Sequence, residues 1–179
     1  MSGTYTYESP EYATVQSGVD SNLNGDSAGD RTVINPNGVG NTGSDVVGYS
    51  ATGQRLDPDD AGIVAYVAND PKARYVVAGS GVLPNGGRNT LPLHPINNVD
   101  FSLLKRINFT ESKRFEFGSQ FFNIFNHAQV TGGYLSDVSL NSVTTARNEL
   151  IPGDPLFGNF DKFYSNNARQ LQLVARFIF

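Results

Sequence analysis

The stretch Asn98–Phe125, NVDFSLLKRINFTESKRFEFGSQFFNIF, decides the fold. Apolar and polar residues alternate through much of both halves, and a period of two is the signature of a β-strand. The short segment between the halves, residues 110–112, predicts a tight turn. We therefore expect an antiparallel hairpin over residues 98–125. One face of its second strand carries an aromatic stripe formed by Phe115, Phe117 and Phe121.

Two further strands are expected outside this hairpin. Residues 4–15, TYTYESPEYATV, are rich in β-formers, although Pro10 indicates a bulge or an edge. The last segment predicts a terminal strand over about residues 168–179. Its apolar face would carry Leu171, Leu173, Ala175, Phe177 and Phe179. The expected strands have about 10 to 12 residues each, about what a tilted membrane-spanning strand needs.

The connections between the strands alternate in length. One is the tight turn of the hairpin, whereas residues 18–97 and 126–165 form two long loops. Short turns alternating with long loops are typical of outer-membrane barrels. In the first loop, Asp57 followed by proline and two acids predicts a short helix over about residues 58–68. The sequence predicts a mainly β fold: a long-stranded antiparallel sheet of barrel-wall type, with four main strands, in a single domain over residues 1–179.

Composition narrows the function classes. The 179 residues carry a net charge of −4 and no clustered Lys and Arg, which argues against nucleic acid or an anionic membrane surface as a partner. The absence of cysteine excludes disulfides and zinc–thiolate sites. The two histidines, His94 and His127, stand in no metalloprotease or nucleophile motif. We therefore expect no enzyme activity. The opening residues lack the features of a signal peptide, so the chain either stays inside or is a piece of a longer exported precursor.

The segment DSNLNGD, residues 20–26, is the sharpest local motif. Oxygen-bearing side chains at alternate positions and a glycine at the sixth are how an EF-hand-type loop surrounds calcium. The predicted Ca²⁺ ligands are Asp20, Asn22, Asn24, Asp26 and Asp30. The twelfth position, which usually holds a glutamate, is Arg31. The alternative is a turn rich in Asn, Asp and Gly whose side chains bond to the backbone without a metal.

Three segments carry a resemblance to a known family: residues 11–31, 86–127 and 165–179. They resemble the C-terminal end of TonB-dependent outer-membrane receptors, in particular the Oar-like receptors abundant in Acidobacteria. Within them FFNIFNH, residues 121–127, is similar to the Asn-Leu-Phe-Asn box of the penultimate barrel strand. The resemblance implies a 22-stranded barrel with a plug, which takes up large ligands using energy from an inner-membrane complex. The terminal alternation ending in Phe179 looks like the barrel-assembly signal of that family.

Four strands cannot close a barrel, because the smallest closures need about eight. Three hypotheses follow. The chain is the C-terminal barrel segment of such a receptor, or a stand-alone calcium-binding subunit that joins copies of itself by strand addition into an extracellular filament or tube. A weaker alternative is a soluble calcium-dependent binding module. The apolar stripes would meet outer-membrane lipid, the rest of a receptor barrel or another copy. We expect a location in the outer membrane or outside the cell of a Gram-negative-type bacterium.

Overall fold

The computed structural model describes residues 1–25, 30–57, 60–130, 148–160, 164–165 and 168–179. These residues form strands and one 3-10 helix, Asn148–Leu150, so the predicted mainly β, antiparallel fold is confirmed. The strands are β1 Ser2–Glu8, β2 Tyr12–Ala13, β3 Val33–Ile34, β4 Val39–Ser44, β5 Val46–Ser50, β6 Arg55–Leu56, β7 Ile63–Ala68, β8 Ala73–Val76, β9 Leu91–Pro92, β10 Ile96–Asn108, β11 Arg114–Phe122, β12 Gln129–Val130, β13 Tyr164–Ser165 and β14 Gln170–Ile178. Among the described residues no helix is long and apolar enough to cross a membrane.

The chain divides into two compact units, where the sequence predicts a single domain. Unit 1 is formed by residues 1–10, 94–131 and 163–179. Unit 2 is formed by residues 11–93 and 132–162. The expected first loop, residues 18–97, is therefore mostly a folded unit with sheets of its own.

Unit 1 contains a four-stranded antiparallel sheet in the order β1-β10-β11-β14. β10 and β11 form the hairpin, in which Ile107 lies opposite Phe115 and Lys105 opposite Phe117. The turn is held by Phe109 N–H donating to the Lys113 carbonyl (2.9 Å) and by Lys113 N–H donating to Thr110 Oγ1 (3.0 Å). β11 ends at Phe122, three residues before the predicted end of the hairpin at residue 125.

The predicted first strand, residues 4–15, is wrong as a continuous element. β1 ends at Glu8, and β2 pairs instead with β9 inside unit 2. Pro10 lies between them and has no N–H to continue a ladder, so the chain leaves one sheet and enters another at this point.

Unit 2 is built from three small sheets, β2-β9, β3-β8-β4 and β6-β5-β7, in which β4 and β8 are parallel. Tyr75 of β8 is fully buried, donates its hydroxyl to the Thr90 carbonyl (2.7 Å) and packs edge-on against the ring of Phe157. Gly43 lies beside that ring: a Cβ at this position would come within 2.6 Å of it. Residues far apart in sequence thus share one core.

The predicted helix over residues 58–68 is wrong for residues 63–68, which form β7. β7 pairs with β5, with Val67 opposite Val47 and Tyr66 opposite Gly48. The acidic signal at Asp57 makes a turn instead, because Asp60 N–H donates to the Asp57 carbonyl (2.9 Å) and Asp57 N–H to Asp60 Oδ2 (2.9 Å). The start of the predicted helix, residues 58–59, lies outside the described residues.

The predicted second loop, residues 126–165, contains short elements in its described parts. β12 pairs with β13, and the 3-10 helix covers residues 148–150. β14, Gln170–Ile178, lies within the terminal strand predicted over residues 168–179.

Candidate functional site

The strand register gives the unit 1 sheet two chemically different faces. Residues directly opposite one another share a face, and successive residues of a strand alternate between faces. One side, here called the apolar face, is formed by Tyr5, Tyr7, Val99, Phe101, Leu103, Ile107, Phe115, Phe117, Phe121, Leu171, Leu173, Ala175 and Phe177. The other side, here called the polar face, carries Thr4, Thr6, Ser102, Arg106, Arg114, Glu116, Gln120, Gln172 and Arg176, together with the apolar residues Ile96, Leu104, Phe122, Val174 and Ile178. Phe179 follows β14, and its ring lies 6.1 Å from that of Phe177.

None of the described side chains of the apolar face is buried. Every buried apolar side chain of the described residues lies in unit 2. The buried side chains of unit 1 are polar: Glu116, Asn123 and Gln129. On the apolar face Leu173 is 77% exposed, Leu171 58% and Phe117 44%. A contiguous exposed apolar surface of this kind marks a place where lipid or another protein binds.

Aromatic residues lie at both ends of the apolar face, and the pair Phe101 and Phe121 lies between them. At the hairpin-turn end the rings of Phe109 and Phe177 lie 6.5 Å apart, and those of Phe115 and Phe117 5.9 Å apart. Tyr5 and Tyr7 are exposed at the opposite end. The two ends are separated by about twelve residues of β10, about 40 Å along the strand and about 30 Å after a tilt of about 40°. This length is close to the height of a bilayer-spanning apolar band.

The polar face is organised around Glu116. Its Oε1 lies 2.7 Å from Arg106 Nε and 3.9 Å from Arg114 Nε, and Arg176 is its register partner on β14. The Glu116 side chain is only 9% exposed, whereas the arginines extend further into solvent. Glu116 therefore links β10 to β11 on this face.

We expect Glu116→Gln to lower the free energy of unfolding by about 1–2 kcal/mol. The substitution removes the charge that Arg106 and Arg114 share, but their exposure screens much of the attraction. Urea unfolding at low and high salt would measure this loss, which should shrink as salt rises. The matched control is Glu111→Gln, because Glu111 is exposed in the hairpin turn. An equal effect of both substitutions would contradict the role given to Glu116.

A family model for an outer membrane beta barrel domain matches residues 1–172. The chain belongs to this family. The match covers nearly the whole chain, and it places this outer membrane beta barrel domain in the outer membrane. Comparisons with curated proteins and with solved structures gave no match.

The FFNIFNH box of this barrel domain has a structural role at the end of β11. Asn123 takes a positive φ of 49°, which ends the strand, and its N–H donates to Asp100 Oδ1 (2.9 Å). Its side-chain amide donates to the His127 carbonyl (2.8 Å), and His127 N–H donates back to Asn123 Oδ1 (3.0 Å). Gln129, which sequence reasoning missed, exchanges two 2.9 Å hydrogen bonds with the Asn97 backbone. The only sequence signal for Gln129 was its position two residues after the box.

In the segment predicted to bind calcium, the structure describes residues 20–25 and 30, which belong to unit 2. Asp30 is 6% exposed; its Oδ2 accepts hydrogen bonds from Ser21 N–H (2.7 Å) and Ser21 Oγ (3.1 Å), and its Oδ1 accepts one from Asn22 Nδ2 (2.6 Å). Asp20 accepts bonds from the N–H groups of Asn24 (3.0 Å) and Gly25 (2.7 Å).

These contacts bring Asp20, Asn22, Asn24 and Asp30 into one loop, while Asp26 lies outside the described residues. Within the described residues no group of three or more acidic or histidine side chains is placed to hold a metal ion. The oxygens of Asp20 and Asp30 already accept N–H and O–H donors, so the loop is held by Asx-type hydrogen bonds. Calcium binding stays a prediction.

Proposed function

We propose that this chain is a wall segment of a larger outer-membrane barrel, with the apolar face toward lipid and the polar face toward the lumen. The supporting observation is the two-faced sheet itself: an apolar face whose described side chains are not buried, backed by a polar face centred on Glu116. Alternation of apolar residues outward and polar residues inward is how barrel strands meet the membrane. The role is structural and not enzymatic.

The larger barrel is, in this proposal, a TonB-dependent receptor of the Oar-like type found in Acidobacteria. Support comes from the sequence resemblance and from the connections of the sheet. A short turn joins β10 and β11, whereas unit 2 separates β1 from β10. Short turns of such barrels are periplasmic and long connections extracellular. Unit 2 would then be a folded extracellular element, and uptake of a large ligand would belong to the complete receptor.

Single-cysteine labelling tests the orientation of the two faces. The chain has no cysteine, so each introduced thiol is unique. Leu173 and its neighbour Gln172 lie on opposite faces of β14. In lipid vesicles, a polarity-sensitive fluorophore on Leu173→Cys should be quenched by brominated lipid. The same fluorophore on Gln172→Cys should be quenched by a water-soluble quencher. Equal access of both quenchers to both positions would overturn the proposal.

A second candidate is self-assembly through the sheet edges into a filament or tube. It is favoured by the edges of the sheet, since β1 and β14 each pair with one strand among the described residues. Strand addition between copies would satisfy these edges and cover apolar surface. Electron microscopy without detergent separates the candidates: fibres support self-assembly, and dispersed or amorphous material contradicts it.

A further inference from the structure

One charged residue interrupts the apolar face. Lys105 lies opposite Phe117, in the row between Ile107–Phe115 and Leu103–Ser119. In the four strands of this sheet it is the only charged residue on that face. A lysine facing hydrocarbon is strongly unfavourable at the bilayer midplane and much less so near the interface. Its position therefore calls for an anionic partner that the lipid itself can supply.

A groove on the apolar face lies beside this lysine. It has a volume of about 370 Å³ and is lined by Leu103, Lys105, Phe117, Gly118, Ser119, Leu173 and Val174. The groove forms because Ser119 is small and stands between Leu103 and Leu173 in the register. Its walls are apolar, and Lys105 supplies its only charge. This is the composition of a site for an acyl chain with a negatively charged headgroup.

The depth of Lys105 fits a headgroup at the hairpin-turn side of the membrane. Lys105 precedes Thr110 by five residues, about 16 Å along the strand and about 12 Å along the membrane normal at a tilt of about 40°. A lysine at this depth extends its four-carbon stem along apolar surface, which brings its ammonium toward the headgroups of that leaflet. The ring of Phe115, one row nearer the turn, lies at the aromatic band of that interface.

We propose that the groove binds one anionic phospholipid of the turn-side leaflet, with an acyl chain between Leu103 and Leu173 and the lipid phosphate on Lys105. The site favours an anionic over a zwitterionic lipid, because the ammonium of a zwitterionic headgroup repels Lys105 and offsets the attraction of its phosphate. This inference rests on the proposed function, because it needs the apolar face to be exposed to lipid.

The test uses the full chain in phosphatidylcholine vesicles. The protein has no tryptophan, so Ile107→Trp, one row from Lys105, provides a single reporter. Brominated phosphatidylglycerol and brominated phosphatidylcholine are compared at equal mole fraction. We expect the anionic lipid to associate with the reporter site about fivefold more strongly. Adding Lys105→Gln should reduce this ratio to about one, while Lys105→Arg should keep it.

The control is Lys113→Gln in the same reporter background, because Lys113 lies in the hairpin turn and outside the groove. It should leave the fivefold ratio unchanged. Equal quenching by both lipids in the reporter with Lys105 intact would overturn the anionic-lipid site and leave the barrel-wall proposal standing. Absence of quenching by either lipid would show that the face does not meet lipid at all, which overturns both.

Discussion

Leu173→Arg should lower the free energy of unfolding in lipid vesicles by about 2–4 kcal/mol, which is the cost of arginine near the bilayer midplane. Leu173 lies in the middle of the apolar face, in the row with Leu103 and Ser119, and its side chain is largely exposed. Few protein atoms surround this side chain, so the substitution disturbs little packing. Its main effect is to place a charge where the side chain faces lipid. Guanidinium unfolding followed by circular dichroism measures the loss.

The matched control is Gln172→Arg, one residue away on the polar face. Gln172 lies opposite Gln120, so an arginine there would meet polar neighbours and water. We expect a change within about 0.5 kcal/mol. If both substitutions cost the same, the apolar face does not meet hydrocarbon. If Leu173→Arg is harmful only in lipid-free fibres, the face is an interface between copies.

Asp30→Ala should destabilise unit 2 by about 2–4 kcal/mol. The substitution leaves the Ser21 N–H, the Ser21 hydroxyl and the Asn22 amide without their acceptor at a buried site. Each buried donor has given up its hydrogen bonds to water, and without an acceptor in the protein nothing compensates for that cost. Asp20→Ala is the control, because its two bonds to backbone N–H groups are exposed; it should cost about 1 kcal/mol. Urea unfolding followed by tyrosine fluorescence would measure both.

The same variants test calcium binding. In excess EDTA the difference between the native chain and Asp30→Ala should persist, because the hydrogen bonds need no ion. If the loop binds Ca²⁺, calcium at a hundredfold excess over its Kd adds about 2.7 kcal/mol to the native chain. That increment should be absent from Asp30→Ala and reduced in Asp20→Ala. A native chain that calcium does not stabilise would contradict the predicted site.

The long strands of unit 1 could be predicted because their signal is local. Alternation from Leu171 to Phe177, and around the Thr110 turn, fixes both strand type and which residues share a face. The apolar stripe holding Phe115, Phe117 and Phe121 follows from the same period of two. What alternation cannot give is the pairing of β1 with β10, about 95 residues apart, since sequence distance carries no register information.

Unit 2 could not be predicted because its order depends on contacts between distant residues. Its strands are two to six residues long, too short for a period to be visible. The sequence around Gly43 indicates a loop. In the structure the absence of a side chain at Gly43 leaves room for the Phe157 ring. At β7 two signals conflicted: an acidic helix start at Asp57 and a run of β-formers from Ile63. Pairing with β5 decided in favour of the strand, because tertiary contacts override weak helix propensity.

The pairing of β2 with β9 has a consequence for the order of folding. Tyr12 lies opposite Pro92, and Leu93 N–H donates to the Glu11 carbonyl (2.8 Å), so the two ends of the 11–93 segment are held side by side. Pairing β1 with β10 while the roughly 85 residues between them are unfolded costs chain entropy. After residues 11–93 have folded, only a few flexible residues separate the two strands, so the cost is smaller. The difference is about 3 kcal/mol. Once residues 11–93 have folded, they hold β1 close to β10. We therefore expect β1 to join the sheet only after residues 11–93 have folded.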